Sequence, residues 1–414
     1  RMKLTIKKNN AGFAEQIQAY RDNPESPEVS SEEEESEASD HSDDESLDSE
    51  AEAERQFKTA RTGVAERPKD KILSMAPEEI TYEMVQKKLE EVAAARGRVS
   101  SLDRQDQVEM LTFLFGVAHG AAQKIEVLVH KVTVIFDMNN PMTSPMTTAN
   151  WKTCTSSVFD MMALVAANPS VSLADNPVEN DRTAEPAADE AITVWGNPAA
   201  FLERLDDEWT GSLKSTDPHT NAYMDRLRDE AAIMALAGLV AEYLEGARGN
   251  GDGMIKEKTA GVALRRMDHI YYKTEGVYGA TRNMALAMKD EAADANANAE
   301  PAGDAGDDEA KSTPALTLPA SFDLPEKAAG LMEELAATVY TNGNDNQKGH
   351  AVLYSVYYKS IHDDFYGARD QLLMSRISEQ TQQLDITMQI LFNRTTAQLG
   401  LCAFRNGLVN EAYY

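Results

Sequence analysis

The end of the chain carries apolar and small side chains at a spacing of three and four residues. This spacing is the period of an α-helix that buries one side, and it is seen in Phe392, Thr395, Leu399, Cys402 and Asn406. The same period recurs along the chain back to Ile80, and no clear strand hairpin signal appears between its segments. The sequence therefore predicts an all-α fold.

Small residues near the C-terminus fall at the offsets of a tetratricopeptide-like helical hairpin. Leu399-Gly400, Ala403, Gly407 and Ala412 fall at the offsets of the Leu-Gly pair, the first-helix aromatic, the turn glycine and the second-helix alanine of such a unit. Hairpins of this kind stack on their neighbours and are not stable alone. We therefore expect an α-solenoid of helical hairpins. We also expect the chain to be a piece of a longer protein, because Tyr414 lies inside the predicted second helix.

Helix boundaries are predicted from local signals. Arg96-Gly97 and Asn168-Pro169 are typical of helix ends, Asp103 of an N-cap and Pro198 of a first helical turn. Residues 125–136 are rich in β-branched side chains, yet the helical period on both sides favours a helix. Asp217-Pro218 predicts the start of a helix that continues to Leu244, and residues 170–193 are predicted to be an exposed loop.

The net charge of −29 is concentrated in two segments. Residues 28–54 hold 14 acids and residues 290–309 hold 8, with no lysine or arginine in either, and the remainder of the chain is only mildly acidic. Such compositions bury too little apolar surface to become ordered. The predicted organisation is an N-terminal helix (1–20), an acidic disordered linker (21–78), a helical domain (79–288), a disordered acidic insertion (289–324) and helical repeats (325–414).

The N-terminal region combines an apolar stripe with an acidic arm. Phe13, Ile17 and Tyr20 share one side of the predicted first helix, which is too short to be stable unless it is docked. Ser30, Ser31 and Ser42 each have an acid three residues later, a pattern typical of acid-directed phosphorylation. The arm is either a solvated run or a phosphorylatable docking segment for a basic partner.

No pattern in the sequence indicates an enzyme, a cofactor or a metal site. A Gly-Lys-Ser/Thr phosphate loop is missing, and the glycines at 246–253 lack the spacing of a dinucleotide loop. Cys154 and Cys402 have no CxxC neighbours, and His362-Asp363-Asp364 alone is a weak metal signal. The longest apolar run, residues 231–241, is shorter than the roughly 20 residues that cross a bilayer. We expect no cofactor and no membrane partner.

Two sets of side chains remain as candidates for binding. Arg394, Gln398 and Arg405 share the side of the last long helix opposite its apolar stripe, which is either solvated or directed at a partner or phosphate backbone. Exchange of both arginines for glutamate is expected to weaken association without lowering the melting temperature. The second set packs between helices or stacks on nucleic acid, and comprises Tyr354, Tyr357, Tyr358, Lys359 and Phe365.

Several strings in the chain resemble the C subunit of eukaryotic translation initiation factor three. The most specific are Ala-Arg-Asp-Gln-Leu-Leu-Met-Ser at 368–375, Gln-Ile-Leu-Phe-Asn-Arg-Thr at 389–395 and Gln-Leu-Gly-Leu-Cys-Ala-Phe-Arg-Asn-Gly-Leu at 398–408. Trp-Lys-Thr-Cys at 151–154 and Thr-Asp-Pro-His at 216–219 are similar too. Matching blocks are scattered over residues 78–408, whereas the loops at 170–193, 246–253 and 289–324 do not follow the family pattern.

The resemblance implies a non-catalytic scaffold of the translation preinitiation complex in the cytoplasm. It implies an α-solenoid that leads, beyond Tyr414, to a PCI module of helical repeats and a winged helix. The expected partners are other subunits of initiation factor three, especially the A subunit, together with the small ribosomal subunit and its RNA. Residues 2–54 are similar to the part of the family expected to hold initiation factors one and five. Two alternatives stay open: a scaffold of the proteasome lid or signalosome type, and an acidic chaperone for basic proteins.

Overall fold

The computed structural model describes residues 80–96, 101–139, 144–175, 191–247, 253–297, 316, 318–319, 322, 324–381 and 384–413. Within these residues fifteen helices and two short strands follow one another. They are α1 (Tyr82–Ala95), α2 (Ser101–Val117), α3 (Gly120–Met138), α4 (Thr148–Ala167), β1 (Val171–Ala174), β2 (Ile192–Trp195), α5 (Pro198–Ser215), α6 (Asn221–Arg228), α7 (Glu230–Ala247), α8 (Gly253–Asp268), α9 (Glu275–Ala297), α10 (Ala328–Asn342), α11 (Asp345–Ile361), α12 (Phe365–Ser375), α13 (Ile377–Gln380), α14 (Ile386–Arg405) and α15 (Val409–Tyr413). The prediction of an all-α fold is confirmed.

Helices that are close in sequence pack on one another and bury a shared core. Contacts join α2 to α3, α3 to α4, α7 to α8, α10 to α11, α11 to α12 and α14, and α14 to α15, while α8 packs on α10 across a longer separation. Most buried apolar side chains from α3 to α14 form one continuous cluster, and α1, α2 and α3 share a second. This arrangement is that of stacked helical hairpins.

The two strands correct the two ends of the exposed loop predicted at residues 170–193. β1 and β2 pair in parallel, with Val171 opposite Ile192 and Ala174 opposite Trp195. Val171 and Val194 are buried, and the Tyr243 hydroxyl of α7 accepts a hydrogen bond of 2.9 Å from the Leu173 backbone N–H. Four residues are too few for an alternating pattern to be recognised, and parallel partners lie far apart in the chain.

The β-branched run of α3 is helical, as its period predicts. Both sides of this helix are buried, and Val127, Val129, Val132 and Ile135 are each at most 2% exposed. Packing on two sides therefore outweighs the modest cost of β-branched side chains in a helix. The expected ends at Arg96 and Asn168 and the first-turn position of Pro198 are confirmed, whereas Asp103 lies inside α2.

The predicted helix from Asp217 to Leu244 was wrong in two places. Thr220 caps α6 by accepting a hydrogen bond from the Tyr223 N–H, while Asp217 accepts one from His219 in the preceding turn. The chain then breaks at Asp229, which separates α6 from α7. Threonine and aspartate are both favoured N-cap residues, so the sequence alone does not distinguish Thr220 from Asp217.

The expected disordered insertion at 289–324 was wrong at both of its ends. Helix α9 continues to Ala297. Leu316, Leu318 and Leu324 are at most 8% exposed and belong to the main core. These leucines follow a long tract of acidic and small residues, so the composition of residues 289–324 as a whole does not reveal that they join the core.

Candidate interaction surface

The inner side of α14 fixes this helix against its neighbours. Thr395 and Cys402 are fully buried, and the Thr395 hydroxyl donates a 2.8 Å hydrogen bond to the Leu391 carbonyl. Ala403 is buried too. Leu408 of the turn after α14 and Ala412 of α15 pack against the cluster to which Ala403 and Cys402 belong. Gly407 in the turn has φ +77°, a left-handed conformation that favours glycine. The predicted hairpin of α14 and α15 is therefore formed.

Arg405 at the end of α14 is bound within the protein. Its Nε donates to Asp363 Oδ1 over 2.6 Å, and its Nη2 donates to the Ser360 carbonyl over 2.6 Å. The neighbouring Asn406 amide donates to the Asp363 carbonyl at 3.0 Å. These bonds join α14 to the turn between α11 and α12, so Arg405 has a structural contact in addition to any role in binding.

Arg394 contacts a cluster of aromatic rings at the junction of α8, α11 and α14. Its guanidinium lies close to the Tyr271 side chain, where its charge works against the rise in the pKa of this phenol; burial is the main reason that the pKa is raised. Tyr271 stacks on Tyr354 with ring centroids 4.3 Å apart and meets Tyr357 edge-on at 5.1 Å.

The aromatic side chains of this region pack between helices, which is one of the two interpretations that the sequence left open. Tyr358 and Phe365 are buried, and the Tyr358 hydroxyl donates to Glu275 at 3.3 Å. Lys359 donates to the Gln371 side chain at 2.9 Å. The rings of Tyr354 and Tyr357 already contact the ring of Tyr271, so the cluster offers few free ring faces on which a base could stack.

The three predicted binding residues of α14 share one side of the helix but meet different neighbours. Arg394 reaches Tyr271 beyond the end of α8, Arg405 reaches Asp363, and Gln398 is half-buried between them along the helix. Phe13, Ile17, Tyr20, Ser30, Ser31 and Ser42 lie outside the described residues. Their predicted roles in factor docking and phosphorylation stay predictions.

An exposed apolar stripe on α14 escaped the sequence analysis. We call it the outer stripe, and its exposed fractions run from 54 to 71% in Ile386, Ile390, Leu401 and Phe404. At 100° per residue these four positions fall within about 60° of rotation, and they span about 27 Å along the axis. Leu373 and Met374 of α12 and Val409 and Tyr413 of α15 are also more than half exposed.

The signal for the outer stripe was present in the sequence but was masked by the buried one. Its members are spaced by 4, 11 and 3 residues, which is a second helical period offset from the Thr395 and Cys402 stripe. A helix with two apolar sides is buried on both or binds something on the second. Asn393 and Ala397 lie on the same side between Ile390 and Leu401, so the stripe consists of two exposed apolar pairs. Exposed apolar groups on one side of a helix can mark a protein interaction site.

Among the described residues, a buried cluster of charged side chains holds a histidine between two carboxylates. His269 Nδ1 lies 2.9 Å from Glu230 Oε1, and its Nε2 lies 3.0 Å from Asp206 Oδ1. Lys273 donates to Glu230 at 2.7 Å and Arg265 donates to Asp206 at 2.8 Å. Burial opposes the charge of His269, but the two carboxylates prevail and raise its pKa to about 9.

This cluster binds helices together. His269 and Glu230 are each less than 10% exposed, and the ionic side chains come from α5, the start of α7, α8 and the turn after α8. The same carboxylates have lowered pKa values because His269, Lys273 and Arg265 outweigh their burial. Pairing offsets the desolvation cost of these buried charges, and the network joins α5, α7 and α8.

Chemistry at cysteine or at a metal finds no support among the described residues. No group of three or more His, Cys, Asp and Glu side chains is placed there to hold a metal ion. Cys154 is fully buried, and burial raises the pKa of its thiol. A protonated, inaccessible thiol is a poor nucleophile. In the same part of the chain no helix is long and apolar enough to cross a membrane.

Comparison with known proteins identifies the family. The family described as eukaryotic translation initiation factor 3 subunit 8 N-terminus matches residues 1–414. The chain belongs to this family. The resemblance to the C subunit that the sequence strings indicate is thereby confirmed, and the chain is that of a translation initiation factor subunit.

Relatives from fungi and vertebrates are named as the C subunit of eukaryotic translation initiation factor 3. The protein of Schizosaccharomyces pombe is 32% identical over 82% of this chain and 34% of its own length. That of Chaetomium globosum is 31% identical over 99% of this chain and 45% of its own length. The Xenopus tropicalis protein is 29% identical over 81% of this chain and 33% of its own length. The chain thus spans between a third and a half of the length of these relatives.

Proposed function

We propose that this chain is a non-catalytic scaffold of initiation factor three, acting in the cytoplasm, and that the outer stripe of α14 docks an amphipathic helix of another subunit. The relatives are named as subunits, so a neighbouring subunit is the natural occupant of such a surface. The single observation that carries the proposal is the exposure of Ile386, Ile390, Leu401 and Phe404 on a helix whose other side is firmly packed.

The chemistry of the outer stripe suits a helical partner. Its four side chains lie on one side of the helix as two pairs, with Asn393 and Ala397 between them. A second helix can contact such a side with residues at i, i+4 and i+7. Arg394 borders the stripe, so a partner helix with acidic residues beside its apolar side is favoured. The same body would carry the small ribosomal subunit and its RNA on other surfaces, and the A subunit is the expected helical partner.

The experiment that tests the docking surface replaces two residues of the outer stripe in the full chain. Ile390→Asp with Phe404→Asp places two charges on the surface without touching the buried side of α14. We expect thermal unfolding to stay within about 2 °C of the unchanged protein, since surface substitutions shift stability by about 0.5 kcal/mol or less. Co-purification with the other subunits of the factor should fall at least about tenfold.

The control changes exposed apolar side chains elsewhere. Met254 of α8 is 59% exposed and Met224 of α6 is 53% exposed, and Met254→Asp with Met224→Asp should leave co-purification unchanged. A stripe variant that unfolds normally and still assembles fully would show that the outer stripe is not the docking surface.

Family membership favours this function over the alternatives that the sequence left open. A scaffold of the proteasome lid or signalosome type loses its support because the family match covers the whole chain. The acidic chaperone rests on residues 28–54, which lie outside the described residues. Within the proposal, the stripe of Phe13, Ile17 and Tyr20 holds initiation factors one and five, and the acidic arm tethers that helix to the body. Tethering raises the local concentration of a small factor without new contacts.

A further inference from the structure

A pocket of about 250 Å³ opens between α1, α2, α3 and the end of β2. Its apolar lining, called the apolar floor below, comprises Val92 and Val134, which are at most 7% exposed, and the exposed Ala93 beside them. Charged and polar side chains stand around this floor. The pocket lies on elements other than α14, and neither the outer stripe nor the buried His269 cluster contributes to it.

The charged side chains of the pocket leave an excess of positive charge. Arg96 binds Asp137 through two bonds, of 2.7 Å from Nε and 3.2 Å from Nη2. Arg104 donates to the backbone carbonyl of Asp137 and so faces the same corner. Two guanidinium groups therefore share one carboxylate among the described lining residues. Arginine binds phosphate through two parallel hydrogen bonds, so Arg96 and Arg104 suit a phosphate ligand.

The remaining polar groups are neutral. His130 is half-buried, and burial together with nearby Arg96 lowers the pKa of its imidazole, so the ring is uncharged at neutral pH. A neutral imidazole presents one donor and one acceptor, and the amide of Gln107 on the same wall presents both kinds. Neutral pairs of donors and acceptors are the groups that read the edge of a nucleobase.

An indole ring borders the pocket. Trp195, the last residue of β2, is 44% exposed, whereas Trp151 and Trp209 are at most 5% exposed. Because β2 packs on α3, the strand holds this ring beside His130 and Arg96. A fixed, half-exposed aromatic ring next to guanidinium groups is the arrangement on which unpaired bases stack.

We propose that this pocket binds one nucleotide of single-stranded RNA, with the base stacked on Trp195 and its edge against Gln107 and His130, and the phosphate on Arg96 and Arg104. A phosphorylated or acidic peptide would also use the arginines, but it has no need of the exposed indole, the neutral donors and acceptors or the apolar floor. The net negative charge of the chain is compatible with this site, because a single unpaired nucleotide requires only a local positive patch.

Trp195 supplies its own signal for the test. The full chain is titrated with single-stranded hexamers of uridylate, adenylate, cytidylate and guanylate while tryptophan fluorescence is recorded. Since Trp151 and Trp209 are buried, quenching by RNA reports on Trp195. We expect Trp195→Ala to weaken binding at least about tenfold and Trp195→Phe to keep it within about threefold, since any aromatic ring can stack. Binding of the variants that lack this tryptophan is followed by fluorescence anisotropy of labelled RNA.

The arginines have a separate readout. Arg104→Ala should reduce the slope of log affinity against log salt by about one, because one phosphate contact is lost. Arg228→Ala is the control, since Arg228 is exposed on α6 and its one ion pair in the described part of the chain, with Asp225, is on the same helix. Thermal unfolding of each variant, and the circular dichroism of Trp195→Ala, establish that the fold is kept.

Three outcomes overturn the proposal. RNA binding that Trp195→Ala leaves unchanged would place the RNA elsewhere. Quenching by a phosphoserine peptide at lower concentration than by any hexamer would make this a peptide site, and no response to any probe up to about 1 mM would show that the pocket is not a binding site. The outer-stripe variant should bind RNA normally, so failure here is distinguishable from failure of the docking function.

Discussion

Arg405 and Asp363 meet through a 2.6 Å hydrogen-bonded ion pair between the end of α14 and the turn that joins α11 to α12. Asp363 has φ +63°, a left-handed conformation that is uncommon outside glycine. The pair and the adjacent bonds from Arg405 and Asn406 to backbone carbonyls hold this turn in place. A residue that the sequence indicated for partner binding is therefore also an anchor of the hairpin stack.

Arg405→Glu is expected to destabilise the protein by about 1 to 2 kcal/mol. The exposed pair contributes at most about 1 kcal/mol, and the loss of the bond to the Ser360 carbonyl and the repulsion of Asp363 add to this cost. Urea unfolding measures the change, and Arg228→Glu at an exposed site of α6 serves as the control. Equal stability of Arg405→Glu and the unchanged protein would show that the contact does not form in solution.

This expectation revises the one made from sequence for the two arginines. A double exchange to glutamate was expected to leave the melting temperature unchanged, but Arg394 and Arg405 each have a partner within the protein. Their role in binding stays a prediction. Loss of association in a double variant is informative only when it is compared with a variant of equal stability, such as Asp363→Ala.

The stability of the protein should depend on pH through His269. Its pKa rises from 6.5 to about 9 on folding, so the folded state keeps a proton that the unfolded chain releases. This contribution is fully present below pH 6.5 and is lost as the pH rises through 9. Asp206 and Glu230 have lowered pKa values, so their contribution is present above about pH 4.5 and is lost as the pH falls.

We therefore expect a stability maximum between about pH 4.5 and 6.5 and a loss of about 3 kcal/mol by pH 9. Urea unfolding between pH 5 and 9.5 measures this loss. His269→Gln should be less stable at pH 6, and its stability should change little between pH 6.5 and 9. The same slope in both proteins would assign the pH dependence to other groups.

Asp229→Asn should cost about 3 kcal/mol. Arg226 is 3% exposed, donates to Asp229 at 2.8 Å and lies over the Trp151 ring with its guanidinium carbon 4.2 Å from the centroid. Without the aspartate this buried cation keeps its desolvation cost and loses its counter-charge. In the double variant Asp229→Asn with Arg226→Met the cost should be smaller, because no buried charge is left unpaired. Chemical unfolding of the single and double variants separates the two cases.

Deletion of residues 1–54 should weaken binding of initiation factors one and five and leave assembly with other subunits intact. The proposed docking helix and the acidic arm are lost together, while the described helices begin at Tyr82, outside the deleted segment. Pull-down of each factor measures the effect, and exchange of Phe13, Ile17 and Tyr20 for alanine tests the helix alone. Binding of histones or ribosomal proteins by the isolated arm would instead favour the acidic chaperone.

The sequence predicted the fold class because a buried helical stripe repeats over many residues. Thr395 and Cys402 of α14 illustrate this, since each residue adds to the same pattern. Contacts between distant segments left no comparable pattern. Tyr271 near Arg394 and Asp363 beside Arg405 come from the turns after α8 and α11. The carboxylates around His269 come from α5 and α7, at separations of 63 and 39 residues. Such pairs are visible only when the helices have been packed.

The outer stripe was overlooked for a different reason. Once Phe392, Leu399 and Cys402 are assigned to the core, Ile390 and Phe404 fall on the opposite side, which the sequence analysis took to be polar. That interpretation rested on Arg394 and Arg405, and it left out the apolar residues Leu401 and Phe404 that lie between them in sequence. A buried stripe and an exposed apolar stripe can thus occupy opposite sides of one helix, and both follow the helical period.

The parallel pairing of β1 and β2 bears on how this family can vary in length. The pairing fixes Ala174 opposite Trp195, and the Tyr243 hydroxyl secures β1 to α7. Both attachment points of the intervening segment are thus set by the surrounding helices and do not depend on that segment. Insertions and deletions between these strands should therefore be tolerated during evolution, and we expect residues 176–190 to be a suitable place to insert a tag or a reporter domain without disturbing the helical body.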